Sequence, residues 1–229
     1  MTVALSVIVP VLNEAREIAG CLEALAAWRA RGHEVIVVDG GSADETRALS
    51  APLADRVLVA AQGRARQMNA GAAVARGAAL LFVHADVRLA PQAEAALGAA
   101  LADPACQWGR FDVRLVPGSM LLALVSWGMN WRSRLSGIAT GDQAIFVRRE
   151  AFARAGGFPE IALMEDVAFS ARMKRVAPPV CLRERVHVSD RRWRRRGTLA
   201  TIVLMWRLRL AYFLGADPQA LARRYSQPS

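Results

Sequence analysis

Acidic residues stand at the ends of three apolar segments in the first half of the chain. The segments read LSVIVP, EVIVVD and ALLFV, and the acids are Glu14, Asp39 and Asp86. If the segments are parallel strands, their carboxyl ends meet at the edge where open α/β sheets bind ligands. Carboxylate oxygens there suit a divalent metal, and a metal suits a diphosphate, although each acid alone also fits an ordinary turn. Three acids converging on one edge predict a nucleotide and metal site.

Two further groups of polar residues stand where helices are predicted to begin. Arg64 and Asn69 belong to a segment that follows Gly63, and arginines at a helix N-terminus favour phosphate binding. Exposed arginines on an alanine-rich helix are the alternative interpretation. Glu165 and Asp166 begin another predicted helix, where a carboxylate could serve as a general base. The helix dipole alone also favours acids at that position.

Strand and helix patterns alternate through the first half, as in a parallel sheet covered by helices. Strands are predicted over residues 5–10, 34–39, 56–60 and 78–83, and helices after a capping Asn13, over 63–76 and over 91–102. The second half predicts an edge strand over 107–116, a mixed aromatic and basic segment over 127–136 that precedes the segment GDQAIFV over 141–147, and helices over 150–156 and 165–176. We expect one α/β domain over residues 1–190, with a basic loop and C-terminal helices over residues 191–229 packed on it.

The charge of the chain predicts an anionic partner. Its 229 residues carry a net charge of +10, which suits nucleic acid, an acidic lipid surface or a phosphorylated small molecule. Residues 191–196 (RRWRRR) concentrate this charge, and a solvated basic loop explains them equally well. The three cysteines, Cys21, Cys106 and Cys181, are odd in number and far apart. They argue against disulfides and a zinc site, and for a reducing compartment.

Two apolar segments raise the question of membrane contact. Residues 119–129 are too few to span a bilayer, which needs ~20 apolar residues. Residues 198–215 include Arg207 and Arg209, each of which would cost roughly 2.5–3.5 kcal/mol near the centre of an inserted helix. We expect this helix to pack on the domain, with peripheral contact at the inner face of the membrane as the alternative. No secretory signal is evident, so a cytoplasmic location is expected.

Other function classes lack their signatures in this sequence. The first predicted strand is followed by VLNE rather than by the glycine-rich turns of dinucleotide-binding or P-loop proteins. A sugar nucleotidyltransferase would need a glycine-rich signature with Arg and Lys at that point. Nucleic-acid binding is disfavoured, because aromatic residues make up 7% and no RRM, KH or helix-turn-helix motif appears. Nucleotidyl transfer, and non-enzymatic binding of nucleic acid or an anionic membrane, stay open as alternatives.

The motifs VIVPVLNE, VVDGGSADET, GRARQMNAG, HAD and MED occur in an order that resembles glycosyltransferase family 2, the inverting GT-A enzymes. More closely, HADVRL, SRLSGIATGDQAIFVRR, SDRRW and MWRLRLAYFLG resemble a compact bacterial subgroup, the arsenosugar-biosynthesis-type glycosyltransferases. The resemblance covers nearly the whole chain and implies a GT-A fold, a mostly parallel Rossmann-like α/β sheet flanked by helices. It also implies metal-dependent, inverting transfer of a sugar from a nucleotide-diphosphate donor, a UDP-sugar by family frequency. The acceptor hydroxyl is unidentified, and a lipid-linked molecule is one candidate.

The resemblance also assigns roles to particular residues. Asp86 matches the metal-binding acid of the family's D-x-D motif, and Asp166, with Glu165 beside it, matches the catalytic base of the E-D pair. The nucleoside pocket and its surroundings would be formed by Pro10, Asn13, Glu14, Asp39, Arg64 and Asn69. The loop beside the diphosphate and the acceptor would contain Arg191, Arg192 and Trp193. The acceptor side would contain Trp131, Arg134, Gly141 and Asp142, with Trp127 and Arg132 in the same segment.

His84 departs from the family pattern, because D-x-D members usually have an acid at its position. Mg²⁺ prefers oxygen ligands whereas Mn²⁺ tolerates nitrogen, so a coordinating His84 would favour Mn²⁺. His187 precedes the basic segment and is a second candidate metal ligand, although a surface histidine is the simpler interpretation. One divalent metal, Mn²⁺ or Mg²⁺, is therefore the expected cofactor.

Overall fold

Eight strands form one sheet in the computed structural model, which describes residues 4–226 apart from the side chains of Arg192, Arg195 and Ser226. The strands are β1 (Leu5–Val11), β2 (Glu34–Asp39), β3 (Arg56–Val59), β4 (Ala79–Phe82), β5 (Val87–Leu89), β6 (Trp108–Val116), β7 (Phe146–Arg148) and β8 (Val180–Ser189). Their order in the sheet is β3-β2-β1-β4-β7-β6-β8-β5.

Helices cover both faces of this sheet. They are α1 (Ile18–Ala24), α2 (Ala26–Ala30), α3 (Thr46–Ser50), α4 (Arg64–Val74), α5 (Ala93–Ala102), α6 (Met120–Ser136), α7 (Arg149–Arg154), α8 (Glu165–Met173), α9 (Arg191–Arg196), α10 (Thr198–Phe213) and α11 (Pro218–Ser226), with a 3-10 turn at Gly141–Gln143. One apolar core contains side chains of α1, α2 and α5, and the other contains side chains of α4, α7 and α8.

The first four strands form the parallel half of the sheet. β1 pairs in parallel with β2 on one side and with β4 on the other, and β2 pairs in parallel with β3. Every residue of β1 and β2 is buried, as in strands whose two faces are both covered. The register aligns Val11 with Asp39, so the carboxyl ends of β1 and β2 lie side by side. The predicted mostly parallel sheet flanked by helices is therefore confirmed.

The remaining strands run in mixed directions. β7 is antiparallel to β4 and β6, β6 is parallel to β8, and β5 is antiparallel to β8. The predicted edge position of residues 107–116 is wrong, because β6 lies between β7 and β8. β7 pairs only with Trp108 and Gly109 of β6, whereas β8 pairs with β6 from Gly109 to Val116 on the other side.

Two other local predictions are wrong. Asn13 does not cap a helix: its φ is 54°, its Oδ1 accepts a hydrogen bond from the N–H of Ala43, and α1 begins only at Ile18. Asn tolerates this left-handed conformation better than most residues do. The basic segment is also not a loop but the helix α9, with Asp190 before it and the Arg194 Nε 2.9 Å from the Asp190 carboxylate.

α6 turns its polar side chains toward the sheet and joins the predicted 119–129 and 127–136 segments into one helix. The Ser126 hydroxyl accepts a hydrogen bond from the Leu115 N–H, and Asn130 exchanges two with the Val113 backbone. These bonds satisfy the part of β6 that β7 leaves uncovered. The α6 stripe, which points outward with exposed fractions between 47% and 92%, consists of Met120, Leu124, Trp127, Trp131 and Leu135.

The C-terminal helices pack on the domain at the start of α8. Leu208 of α10 and Leu221 of α11 form a small apolar cluster with Met164 and Val167. The α10 stripe, which is exposed by 48% to 72%, consists of Leu199, Val203, Trp206, Leu210 and Phe213. Across residues 4–226, none of the helices is both long enough and apolar enough to cross a membrane.

Candidate active site

Backbone groups hold Asp166 in place at the start of α8. The N–H of Gly141 donates to Oδ2 at 2.8 Å, and the N–H of Val167 donates to Oδ1 at 2.7 Å. Met164, which precedes the acidic pair, has a left-handed φ of 71°, a strained conformation that clusters at functional sites. The 3-10 turn and the α8 start, which are distant in sequence, thus fix one carboxylate between them.

The ring of His84 packs against the backbone of Gly141. A Cβ added to Gly141 would lie 2.4 Å from His84 Cε1, so this position accommodates only glycine unless the ring moves. His84 Nδ1 lies 3.7 Å from Oδ1 of Asp142. The structure therefore brings together four residues that were predicted for three different roles: His84, Gly141, Asp142 and Asp166.

Glu165 is almost completely buried beside Asp166. Burial, together with the negative charge of Asp166, raises the pKa of Glu165 to about 7, while the positive charge of Arg64 acts in the opposite direction. A buried carboxyl that keeps its proton toward neutral pH differs chemically from the partly exposed Asp166 next to it. The two acids of the predicted pair are therefore not equivalent.

Glu14 and Asp86 lie at the carboxyl edge of the parallel strands with Arg191 of α9. Arg191 Nη2 is 3.4 Å from Oε2 of Glu14. Burial raises the pKa of Glu14, the charge of Arg191 counteracts it, and the charge of Asp86 raises it further. α9 thus brings one predicted diphosphate-binding residue to Glu14, on which the charge of Asp86 also acts.

A divalent metal fits this edge if a bound ligand supplies most of its oxygens. Over the described part of the chain, no group of three or more His, Cys, Asp or Glu side chains could hold a metal by itself. Asp86 nevertheless provides a carboxylate. Its negative charge repels that of Glu14, and a bound cation would reduce this repulsion. Because metals in phosphate-transferring sites are commonly held by one or two carboxylates and by substrate phosphates, the residues present fit a metal shared with a diphosphate.

Asp39 ends β2 completely buried. Its Oδ1 accepts hydrogen bonds from the N–H groups of Gly41 and Ser42, at 2.6 and 2.7 Å, and this closes the turn that the DGGS sequence favours. Its Oδ2 is also buried and finds no hydrogen-bond partner within residues 4–226. Since a buried acceptor without a partner is costly, this oxygen is suited to a ligand N–H or O–H group.

A cavity of about 400 Å³ opens beside Asp166, between α6 and α10. This volume is within the range of small-molecule sites. The Arg, His, Asp and Glu residues that line it are Arg64, His84, Arg132, Asp142, Glu165, Asp166 and Arg209. Its apolar walls, which precede Arg132 along α6 and Arg209 along α10, include Leu121, Leu124, Val125, Met129, Ile202, Met205 and Trp206, and Trp193 of α9 borders it as well.

Several predicted nucleotide residues have structural contacts instead of an open position. Pro10 is buried within β1, in register with Val38. Asn69 uses both ends of its amide on the Phe158 backbone, which ties α4 to the loop before α8. Neither residue lines the cavity, and the predicted nucleotide contacts of both stay predictions.

The other predicted residues outside the cavity lie on different elements. Arg134 forms a two-pronged ion pair with Asp112 on β6, at 2.7 and 2.9 Å. Trp131 belongs to the outward α6 stripe, with its ring 6.0 Å from that of Trp127. His187 lies in β8 between β5 and β6, away from the residues that line the cavity. The side chain of Arg192 lies outside the described residues.

Arg209 is a lining residue that the sequence did not identify as part of a site. In the sequence it appears only as a charge that disfavours membrane insertion of residues 198–215. The charges of Asp166 and Asp142 act on it in the structure, while burial lowers its pKa. An arginine within an otherwise apolar helix was the available signal, because such a charge needs a polar surrounding once the helix packs.

The protein-family comparison covers more than half of the chain. A family model described as Glycosyl transferase family 2 matches residues 6–149. A PGL/p-HBAD biosynthesis glycosyltransferase of Mycobacterium bovis (strain BCG / Pasteur 1173P2) is 39% identical over 88 residues, which cover 35% of this chain and 34% of that protein. The chain thus matches about a third of this relative's length.

Solved structures share the fold at lower sequence identity. S. aureus TarS 1-349 in complex with UDP-GlcNAc is 20% identical with a TM-score of 0.63, over 81% of this chain and 58% of that chain. Mannosyltransferase PcManGT from Pyrobaculum calidifontis in complex with GDP-Man and Mn²⁺ is 22% identical with a TM-score of 0.62, over 100% of this chain and 66% of that chain. The predicted GT-A fold is confirmed by this likeness.

Proposed function

This chain belongs to glycosyl transferase family 2, and we propose that it transfers a sugar from a nucleotide-diphosphate donor to an acceptor hydroxyl. The observation that carries the proposal is the carboxylate of Asp166, which borders the cavity while backbone N–H groups hold both of its oxygens. A fixed carboxylate beside a substrate-sized space is what a general base requires. Membership of the arsenosugar-biosynthesis-type subgroup is a narrower hypothesis on which this proposal does not depend.

The proposed reaction is a single displacement with inversion at the anomeric carbon. The acceptor oxygen attacks that carbon, the bond from the carbon to the diphosphate oxygen breaks, and its electron pair leaves with the diphosphate. Asp166 takes the proton of the acceptor hydroxyl. Burial and the charge of Asp166 raise the pKa of Glu165 to about 7, so Glu165 holds a proton below that pH. Its proposed role is to assist Asp166 from the adjacent position.

The departing diphosphate is proposed to meet positive charge from α9. Arg191 lies beside Glu14 and would share its charge with the diphosphate, with Arg192 and Trp193 as neighbours in the same helix. Charge that is fixed in advance stabilises the negative charge that develops in the transition state. A divalent metal, Mn²⁺ or Mg²⁺, would be held by Asp86, with His84 or His187 as further candidates, and would supply Lewis-acid stabilisation of the same diphosphate.

The proposed donor is a UDP-sugar. The buried Oδ2 of Asp39 supports a nucleotide base at the carboxyl edge, because it could accept a hydrogen bond from a base N–H. Asn13 and Glu14 are other proposed contacts at that edge, together with Pro10 and Asn69. Arg64, which lines the cavity, is a further proposed contact. Nucleotide sugars are bound in the TarS and PcManGT structures, as UDP-GlcNAc and as GDP-Man, and support this class of donor by analogy.

We also propose that the acceptor is lipid-linked and that the protein contacts the cytoplasmic face of a membrane peripherally. The α6 and α10 stripes supply large exposed apolar side chains on the two helices that wall the cavity. A basic protein with such helices is attracted to an anionic lipid surface. Gly141 and Asp142 would contact the acceptor at the polar end, and Trp131 and Arg134 would lie farther along its approach.

The proposal is tested in two steps with purified full-length protein. First, a panel of UDP- and GDP-sugars is screened for thermal stabilisation with and without Mn²⁺, since a ligand that binds the folded state raises its Tm. Asp86→Asn should abolish the Mn²⁺-dependent part of the stabilisation. Second, nucleotide release from the stabilising donor is measured with a detergent-solubilised lipid extract as acceptor source.

Asp166→Asn should lower the rate of nucleotide release by about 10²–10⁴-fold, the usual contribution of a general base, without weakening donor binding. Glu150→Gln, which changes a carboxylate that is 90% exposed on α7, is the matched control and should keep full activity. Retained turnover in Asp166→Asn, or an equal loss of donor binding, would overturn the assignment of the base. No stabilisation by any nucleotide sugar would overturn the proposed function itself.

A further inference from the structure

Two arginines in the cavity have nitrogen atoms without partners. Arg132 projects from α6 and Arg209 from α10, and both line the cavity near Asp166. Nη1 of Arg132 donates to the carbonyl oxygen of Ile138 at 3.3 Å. Nε and Nη2 of Arg132, and Nε of Arg209, are buried and have no hydrogen-bond acceptor in the described part of the chain.

The arrangement of these two cations is unfavourable without an anion. Burial and the nearby positive charge of Arg209 lower the pKa of Arg132 to about 10, and burial lowers the pKa of Arg209 as well. The charge of Asp166 acts on both groups in the opposite direction. Buried donors that lack acceptors carry a desolvation penalty, which a bound anion with several oxygens would remove.

The rest of the cavity has the opposite character. Leu124, Val125 and Met129 precede Arg132 along α6, and Ile202 and Met205 precede Arg209 along α10. The mouth continues into exposed apolar side chains, since Leu124 and Trp206 line the cavity while being 61% and 72% exposed. A ligand that fills this space must combine an anionic group with an apolar body.

We propose that the cavity between α6 and α10 is the acceptor site and that the acceptor is an anionic amphiphile. Its phosphate or carboxylate binds Arg132 and Arg209, and its apolar part lies between the walls of α6 and α10. The hydroxyl to be glycosylated then lies next to the anionic group, within reach of Asp166. This inference rests on the proposed function for the reaction but not for the binding.

The donor diphosphate is a less suitable occupant of the arginine pair. Of the residues proposed to contact the nucleotide, diphosphate or metal, Glu14, Asp39, Asp86 and Arg191 do not line the cavity, whereas Arg64, His84 and Trp193 do. The arginines instead follow apolar walls that a nucleotide diphosphate cannot use. The donor would therefore reach the cavity at Arg64 and His84, while the acceptor would lie along the walls of α6 and α10 that end at Arg132 and Arg209.

The binding test uses decyl phosphate as the probe, below its micelle concentration, in calorimetric titrations of the full chain. Inorganic phosphate represents the anion alone, and decyl maltoside represents a neutral amphiphile. UDP with Mn²⁺ is titrated in parallel as the readout of the donor site. Arg132→Met and Arg209→Met remove the charge at similar length, and Arg207→Met, on the same helix but outside the cavity, is the matched control.

A second pair of variants tests the apolar part. Gly128 lines the cavity on α6, and a Cβ added there meets nothing within 4 Å, so Gly128→Leu should fill the cavity without disturbing the helix. Gly98 of α5 is equally open but lies outside the cavity, so Gly98→Leu is the control. The melting temperature of each variant verifies that it is folded.

Decyl phosphate should bind the wild-type chain more tightly than inorganic phosphate or decyl maltoside does. Each arginine variant should weaken its binding by about tenfold or more, the usual effect of losing a charged hydrogen-bond donor, with UDP binding unchanged. Gly128→Leu should also abolish it, whereas Arg207→Met and Gly98→Leu should not.

Four results would overturn the inference while leaving the proposed function intact. The first is binding of decyl maltoside as tight as that of decyl phosphate. The second is binding of inorganic phosphate as tight as that of decyl phosphate, with no effect of Gly128→Leu. The third is a loss of UDP binding in the arginine variants. Absence of decyl phosphate binding, with UDP binding intact, would overturn it as well. Failure of UDP and UDP-sugars to bind would instead contradict the proposed function.

Discussion

Glu165→Gln should make the protein more stable than the wild type at alkaline pH. The unfolded chain releases the Glu165 proton near the ordinary pKa of 4.5, whereas burial and the charge of Asp166 raise the pKa in the folded protein to about 7. Between these pH values the folded state holds one proton more than the unfolded state, so the free energy of unfolding falls as pH rises. Glutamine keeps the shape but has no proton to lose.

The size of the effect follows from the two pKa values. Each pKa unit corresponds to about 1.36 kcal/mol. Ionisation of Glu165 therefore lowers the free energy of unfolding of the wild type by about 1 kcal/mol at pH 5 and by about 3 kcal/mol at pH 8. The stability advantage of Glu165→Gln should therefore grow by about 2 kcal/mol between these two pH values. Urea unfolding followed by tryptophan fluorescence at both pH values measures this difference directly.

The control is Glu150→Gln, whose side chain is 90% exposed, and its stability should follow that of the wild type at both pH values. Equal stability differences at pH 5 and pH 8 for Glu165→Gln would refute the reasoning. Such a result would mean that the folded protein releases the Glu165 proton at an ordinary pH, and Glu165 would then be a second candidate for the base.

Three glycines give further predictions. Gly141→Ala should lower kcat by about 10²-fold with an unchanged fold, because its Cβ would lie 2.4 Å from His84 Cε1 and shift the ring beside Asp166. Steady-state kinetics measures kcat and circular dichroism verifies the fold. An unchanged kcat would contradict the prediction. Gly71→Ala should lower the free energy of unfolding by about 1–3 kcal/mol, because its Cβ would lie 2.6 Å from Ile8 Cγ2. Gly98→Ala should raise the free energy of unfolding by about 0.5–1 kcal/mol, because Gly98 lies within α5 and a Cβ there meets nothing within 4 Å. Urea unfolding of both variants measures these changes.

The parallel half of the fold could be predicted because local pattern and burial agree there. The segments 5–10 and 34–39 are short, mostly apolar and rich in valine and isoleucine, which favours strands buried on both faces. Their carboxyl ends then had to share an edge, so the positions of Glu14 and Asp39 followed from the order of the strands. The pairing of Glu14 with Arg191 could not follow, because it joins residues that are 177 positions apart.

The conformation of Asn13 and the place of β6 depend on interactions that a local pattern does not contain. The Asn13 side chain has a competing partner in the Ala43 N–H, and a hydrogen bond to another loop outweighs its preference for a helix cap. Residues 107–116 alternate in polarity like an edge strand. β8 nevertheless pairs along nearly the whole length of β6, from Gly109 to Val116, and so removes the edge.

The cavity was unpredictable for a reason that also explains its chemistry. Helical periodicity predicts that the apolar side of a helix faces the core. α6 instead packs against a part of β6 whose backbone groups have no strand partner, and leaving these groups without hydrogen bonds would cost more than placing polar side chains beside them. Ser126 and Asn130 therefore face β6, and Leu122 packs in the core beside them. Leu121 and Leu124 remain to wall the cavity between α6 and α10. A helix that docks partly through polar residues leaves apolar side chains available to line a cavity. A chain that uses such a helix as one wall, and places Arg132 and Arg209 beside Asp166, has a site suited to a molecule that is itself half apolar and half charged.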